Sequence, residues 1–163
     1  MPRRRFTGPV REEGDGFVVD LGEHAAPVVR RMLDELRDLL TREVDDPDAA
    51  ELLARLFPVV HPDDPDAEAE YQRLMRDELV QSKLAAFRLV DTALAGDGRL
   101  DEAGLVAFMQ SLNSLRLVLG RMLDITDEFD DGFDDEAETS AEHELYGYLS
   151  WLLEWSVQTI SRR

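Results

Sequence analysis

The polar residues that stand out lie in the most apolar part of the chain. In SLNSLRLVLG, residues Ser111 to Gly120, an amide (Asn113) and a guanidinium (Arg116) sit three apart among leucines and valines. Three apart on a helix is one face. An arginine buried in such a helix needs a carboxylate and further acceptors, or it costs several kcal/mol. Glu78, on the preceding helix, is the expected partner, and the pair would then fix helix register. The sharper reading is a polar pocket around Asn113 and Arg116 for a small molecule, a metal or a partner's side chain. Gly120 lets a neighbouring helix approach closely under either reading.

A second candidate is the acidic stretch DEFDDGFDDEAE, residues Asp127 to Glu138. A calcium loop of the EF-hand type draws ligands from positions 1, 3, 5, 7, 9 and 12, with glycine at 6. Asp127, Asp131, Gly132, Asp135 and Glu138 fit that frame, but Phe129 stands at position 3 and Asp134 at position 8. No second loop of this kind exists in the chain. A solvated, self-repelling connector explains the same residues.

Tyr148, Trp151 and Trp155 recur at i, i+3 and i+7 and form one stripe of the last helix. Such a stripe is ordinarily core. Where exposed, it is a protein-binding or homodimer surface, because Trp and Tyr are typical interface anchors. His24, His61 and His143 are scattered, and no pair has metal-ligand spacing. No glycine-rich phosphate loop and no Ser-His-Asp order is visible. The sequence therefore names no catalytic residue, no metal ligand and no cofactor, and the expectation is a protein that is not an enzyme.

The elements that position these residues follow from periodicity and breakers. Arg4–Val10 and Phe17–Leu21 read as two strands joined by REEGDG, an N-terminal β-hairpin within residues 1–21. A helix from about Glu23 to Glu43 carries Val28, Val29, Met32, Leu33, Leu36, Leu39 and Leu40 at helical spacing. A short helix, 48–56, has Pro47 at its start and Pro58 at its stop. Three prolines within eight residues make the segment PVVHPDDPDAE, from Pro58, a loop. A long helix, 67–94, ends at a Gly96 C-cap. The next, 102–125, is N-capped by Asp101, with Leu100 and Leu105 at the staple positions. It is apolar over most of its circumference, which predicts a central, buried helix. An acidic flexible loop spans 126–140, and a last helix spans 142–160. The expected fold is one mainly α domain: four main helices, one short one and the hairpin.

Composition narrows the function classes. Among 163 residues there are 36 acids and 18 bases, a net charge of −18. Such a surface repels phosphate backbones and anionic lipid, so direct nucleic-acid binding and membrane binding are disfavoured and protein partners favoured. Arg3–Arg5 and Arg162–Arg163 are too few cations to reverse this. The absence of cysteine removes disulfides, thiol catalysis and thiol sensing. No run of 18 apolar residues and no secretory signal is visible, which leaves a cytoplasmic protein as the simple expectation. Arginine supplies 17 of the 18 cations and Lys83 is the only lysine, a bias that fits a high-GC bacterial genome.

The order of features resembles an actinobacterial family labelled a domain of unknown function, whose members also carry the name oxidative-stress transcriptional regulator AosR. The resemblance runs through a basic N-terminal strand, DDPDAAELLARLFPVVHPDD, DELVQSKL, GRLDEAGLVAFMQSLNSLRLVLGRMLDI and the closing YGYLSWLLEW. It implies transcription regulation through protein contact, with a sigma factor or RNA polymerase as partner. The family's gene neighbourhoods suggest a second role, an accessory factor for Clp-type proteolysis. One departure matters: an oxidative-stress sensor would use a thiol, and this chain has none. Met32, Met75, Met109 and Met122 read as buried, so methionine is a poor substitute sensor.

Overall fold

The computed structural model describes residues 8–42, 46–123 and 140–163. The acidic stretch Asp127–Glu138, with the calcium reading placed on it, lies outside the described residues, as do the basic residues Arg3–Arg5. The described chain is mainly α, with a small sheet at one end.

Two strands, β1 (Val10–Glu13) and β2 (Gly16–Val19), form the expected hairpin with Val10 opposite Val19. The first strand lies further along than Arg4–Val10. Residues 11–13, read as turn, pair with 16–18 because Gly14, at φ +65°, closes a two-residue turn with Asp15. A third strand, β3 (Arg99–Leu100), adds to β2 and places Leu100 opposite Phe17. Two residues carry no periodicity, so this strand had no sequence signal. Its cause is Gly98, whose φ is +76° and whose carbonyl accepts from Val19 N–H at 2.9 Å. A Cβ at Gly98 would stand 2.0 Å from the Val19 carbonyl oxygen, so only glycine fits there.

Helix α1 (Gly22–Thr41) buries Val29, Leu33, Leu36 and Leu40, one stripe at helical spacing. Helix α2 (Pro47–Leu53) is followed by a 3₁₀ turn, Ala54–Leu56. Helix α3 (Pro65–Ala95) starts two residues before the expected Ala67. Both α2 and α3 open the same way. An Asp side chain, of Asp46 or Asp64, accepts from backbone N–H groups of the first turn, and Pro fills the first helical position, where no N–H is needed. Gly96 is the C-cap of α3, but the left-handed residue is Gly98, whose N–H bonds the Ala93 carbonyl at 3.0 Å.

Helix α4 (Glu102–Met122) is the centre, packing on α1, α2, α3, the 3₁₀ turn, both β2 and β3, and α5 (Ala141–Ser161). Asp101 caps it as expected, accepting from Gly104 N–H at 2.7 Å, and Leu100 and Leu105 are both buried. Ser140 caps α5 in the same manner. Among the described residues α4 is the one helix long and apolar enough to cross a membrane by length and composition. Here its apolar surface is the middle of the bundle. The N-terminal half of α3 is different: Leu74 is 60% exposed, and the buried residues of α3 are Phe87 and Val90. That half is tied to the 58–64 loop by Glu68, whose carboxylate accepts from Val60 N–H at 3.0 Å and His61 N–H at 2.7 Å.

Candidate functional site

The aromatic stripe of α5 is divided between packing and exposure. The core face of α5 is Leu149, Leu152, Ser156 and Thr159, and the aromatics lie on its flank. Trp155 is built into the fold. Its Nε1–H donates to the Val10 carbonyl at 2.9 Å, and its ring lies so close over Gly8 that a Cβ there would be 2.2 Å away. Thr159 adds a bond to the same carbonyl at 3.4 Å. Trp155 therefore fastens the hairpin to α5. Trp151 is 40% exposed. It touches Tyr148 on one side (centroids 5.9 Å apart) and Trp155 on the other (5.6 Å), making a three-ring ladder. Tyr148 is half-buried, and that burial raises its phenol above the usual tyrosine range. One turn before Trp151 stands Gly147, where an added Cβ would meet nothing within 4 Å. The exposed ring thus borders a bare notch, flanked along the helix by the exposed carboxylates Glu144 and Glu154.

Arg116 does not form the expected ion pair. It is half-buried in the seam between α4 and α5, where its Nε–H donates to Ser150 Oγ at 2.8 Å and one Nη donates to Asn113 Oδ1 at 3.4 Å. Its guanidinium carbon lies 5.4 Å from the centre of the Tyr146 ring. Among the described residues it makes no salt bridge, and Glu78 is exposed on α3. The physical reason is position on the helix. The buried face of α4 runs through Leu105, Phe108, Leu112, Leu115 and Leu119, and Arg116 lies beside it, where water still reaches the head group. Gly120 does permit close approach: a Cβ there would stand 3.2 Å from the Tyr146 ring.

Asn113 and Arg116 share a face, but they do not line the same cleft between α3 and α4. Asn113 lines a cleft of about 300 Å³ between α3 and α4, whose other walls include Arg55, Ser82, Lys83, Gln110 and Ser114. Arg116 is not among its lining residues. A second, more apolar groove of about 500 Å³ runs between α1, α4 and α5, over Met32, Leu36, Leu39, Leu115, Val118 and Leu145. Sequence reasoning placed a polar pocket at Asn113 but named Arg116 in place of the other residues of that cleft, and it missed the apolar groove. Their residues are ordinary for helix surfaces, and only the angle between helices leaves the gaps.

The remaining candidates are quickly placed. His61 stands edge-on to Tyr71 at 6.0 Å, His143 Nδ1 lies 2.7 Å from the capping hydroxyl of Ser140, and His24 is exposed. No group of three His, Asp or Glu side chains among the described residues could hold a metal ion. Met122 is 60% exposed, not buried, and Met32, Met75 and Met109 are half-buried. The turn at the end of α4 leaves Met122 beyond the packed face.

No curated protein and no solved structure matches this chain. The family model described as Domain of unknown function (DUF2017) matches residues 4–160, nearly the whole length. The chain therefore belongs to the DUF2017 family.

Proposed function

We propose that this protein is a regulatory module that acts in the cytoplasm by protein contact, and that the Tyr148–Trp151–Trp155 ladder is where the partner docks. The observation that carries this is Trp151, 40% exposed in the middle of an aromatic ladder beside the bare notch at Gly147. A large ring held by its neighbours on both sides loses little freedom on binding and offers a wide apolar face, as interface anchors do. Glu144 and Glu154 border that face on a chain of net charge −18, so the partner surface it suits is basic, with an arginine or lysine able to sit over the ring. The resemblance to regulators of the AosR type makes a sigma factor or an RNA polymerase subunit the proposed partner, with transcription regulation in oxidative stress as the role. Lacking a thiol, this chain would leave any peroxide sensing to the partner.

The test is binding of purified sigma factor, core polymerase and holoenzyme to the immobilised full-length chain, with and without peroxide. Trp151→Ala is expected to weaken the complex about 30-fold, the effect of a ~2 kcal/mol hot spot. Trp155→Phe, which keeps the ring, is expected to bind nearly normally. If no polymerase component binds, or if Trp151→Ala binds as well as the parent, the reading is wrong. Recovery of Clp components from the cells would move the assignment to proteolysis. Self-association lost in Trp151→Ala would make the ladder a homodimer contact.

A further inference from the structure

The cleft between α3 and α4 is an island of the opposite charge. Among the described residues its lining contains Lys83 together with Ser82, Ser111, Ser114, Gln110 and Asn113, and no acid, on a chain that carries twice as many acids as bases. Two turns before Lys83 on α3, Arg76 stacks over Phe57 at 3.6 Å from the ring centre, and the Lys83 ammonium lies 6.0 Å from the same ring. Burial pushes both cations below their usual range. Among the described residues Lys83 has neither a salt bridge nor a hydrogen bond, although acids outnumber it 36 to one in the chain. An ordinary structural lysine either pairs or extends into water.

Ser114 gives a second, independent sign. It is 4% exposed, lines the cleft, and its hydroxyl has no hydrogen-bond partner among the described residues. Its neighbour Ser111, also in the lining, is bonded to the Ala107 carbonyl at 2.8 Å. Among the described residues no fully buried side-chain nitrogen or oxygen is left unsatisfied, so the Ser114 oxygen must reach solvent, and the cleft is the opening it lines. A free hydroxyl, an unpaired ammonium and the Asn113 and Gln110 amides are the donors that an oxyanion takes.

We propose that this cleft binds a small soluble anion, a metabolite bearing a carboxylate or phosphate group, with Lys83 as counter-charge and Ser114 as hydrogen-bond donor. The volume, about 300 Å³, sits at the small end of ligand pockets. The net charge of −18 argues against acidic peptide or nucleic acid, which would meet repulsion over a wide surface. A small anion feels chiefly the charges within about 8 Å at physiological salt. This site is separate from the α5 ladder, so either proposal stands or falls without the other.

The single lysine makes the test direct. In protein labelled with ¹³C-lysine, the Lys83 side chain gives one Cε–Hε correlation. Inorganic phosphate and succinate are titrated separately at constant ionic strength, with chloride as the blank. The expected result is a saturable shift of that signal, with the Ser114 amide moving along the same isotherm and the Lys83 titration midpoint rising. Lys83→Met, which keeps the stem against Phe57, is expected to fold normally and lose the Ser114 response. Ser114→Ala is expected to weaken binding about tenfold, the value of one hydrogen bond to a charged group. A response to one probe alone tells which head group is bound. A linear drift matched by chloride, or a Ser114 response that persists in Lys83→Met, overturns the proposal.

Discussion

Trp155 and Trp151 lie four residues apart on α5, and their surroundings differ in kind. Trp155 has a backbone carbonyl for its N–H and a glycine beneath its ring. Trp151 has rings on two sides and solvent on the third. The first joins residues 145 apart in the chain; the second, among the described residues, makes its ring contacts within its own helix. Identical residue types at helical spacing can thus serve stability at one turn and be free for recognition at the next. What separates them is whether another element arrives to use the ring.

Substitutions can break that contrast. The largest effect is expected for Trp155→Ala, which loses a packed indole and the shorter of the two hydrogen bonds to the Val10 carbonyl: about 3 kcal/mol of stability by urea unfolding. Trp151→Ala should cost less than about 1 kcal/mol in the same assay. Equal losses would mean that both rings are structural, and the proposed docking surface would go with them. Trp155→Phe removes the N–H and the smaller part of the indole while keeping an aromatic ring, and should cost about 1–2 kcal/mol.

A smaller change, of opposite sign, is expected at Gly147. Glycine inside a helix is less stable than alanine by up to about 1 kcal/mol, and a Cβ here meets open space. Gly147→Ala should therefore raise the melting temperature while narrowing the notch beside Trp151. A stabilised variant that binds its partner less well would separate the two roles of α5. Unchanged binding would show that the notch is not used.

The same distinction, burial against polar ties, recurs along α3. Its C-terminal half is held by Phe87 and Val90, its N-terminal half by Glu68 on the 58–64 loop. The Gln72 side chain and the His61 N–H hold the Glu68 carboxyl below the usual carboxylate range. A lowered folded value means that the tie is present above the unfolded pKa and is lost as pH falls through the folded one. The amide signals of Val60 and His61 should shift together in that acid window, with little change at Phe87. A shift at all three would mean that the helix loosens as a whole.

Much of the fold was legible because it follows from local rules. The core stripe of α1, the Asp101 cap, the Asp–Pro starts of α2 and α3, and the apolar circumference of α4 each depend on residues within a few positions of one another. Periodicity and capping report such relations directly. The start of α3 at Pro65 could have been read by the logic applied at Pro47. The turn at Gly14–Asp15 was visible as a turn, but the register it sets was not.

The candidate sites were less legible. Sequence alone placed Asn113 with Arg116 and Trp151 with Trp155, since spacing within one helix fixes which residues share a face. It could not say which neighbour each would meet. Arg116 found Ser150 and the Tyr146 ring instead of Glu78, because the rotation of α4 puts it in the seam with α5 and leaves Glu78 exposed. In the sequence Lys83 carried only a compositional meaning, as the one lysine beside 17 arginines. It became a candidate ligand-binding residue only when α3 and α4 diverged and enclosed it with Ser114. The strand Arg99–Leu100 needed β2 to exist. The chain by itself determined the helices, their ends, their apolar faces and the net charge, which are sums and short-range relations. Tertiary structure decided how far each aromatic is exposed, what each cation meets and where the clefts lie, because exposure and pairing belong to surfaces made by two or more elements at once.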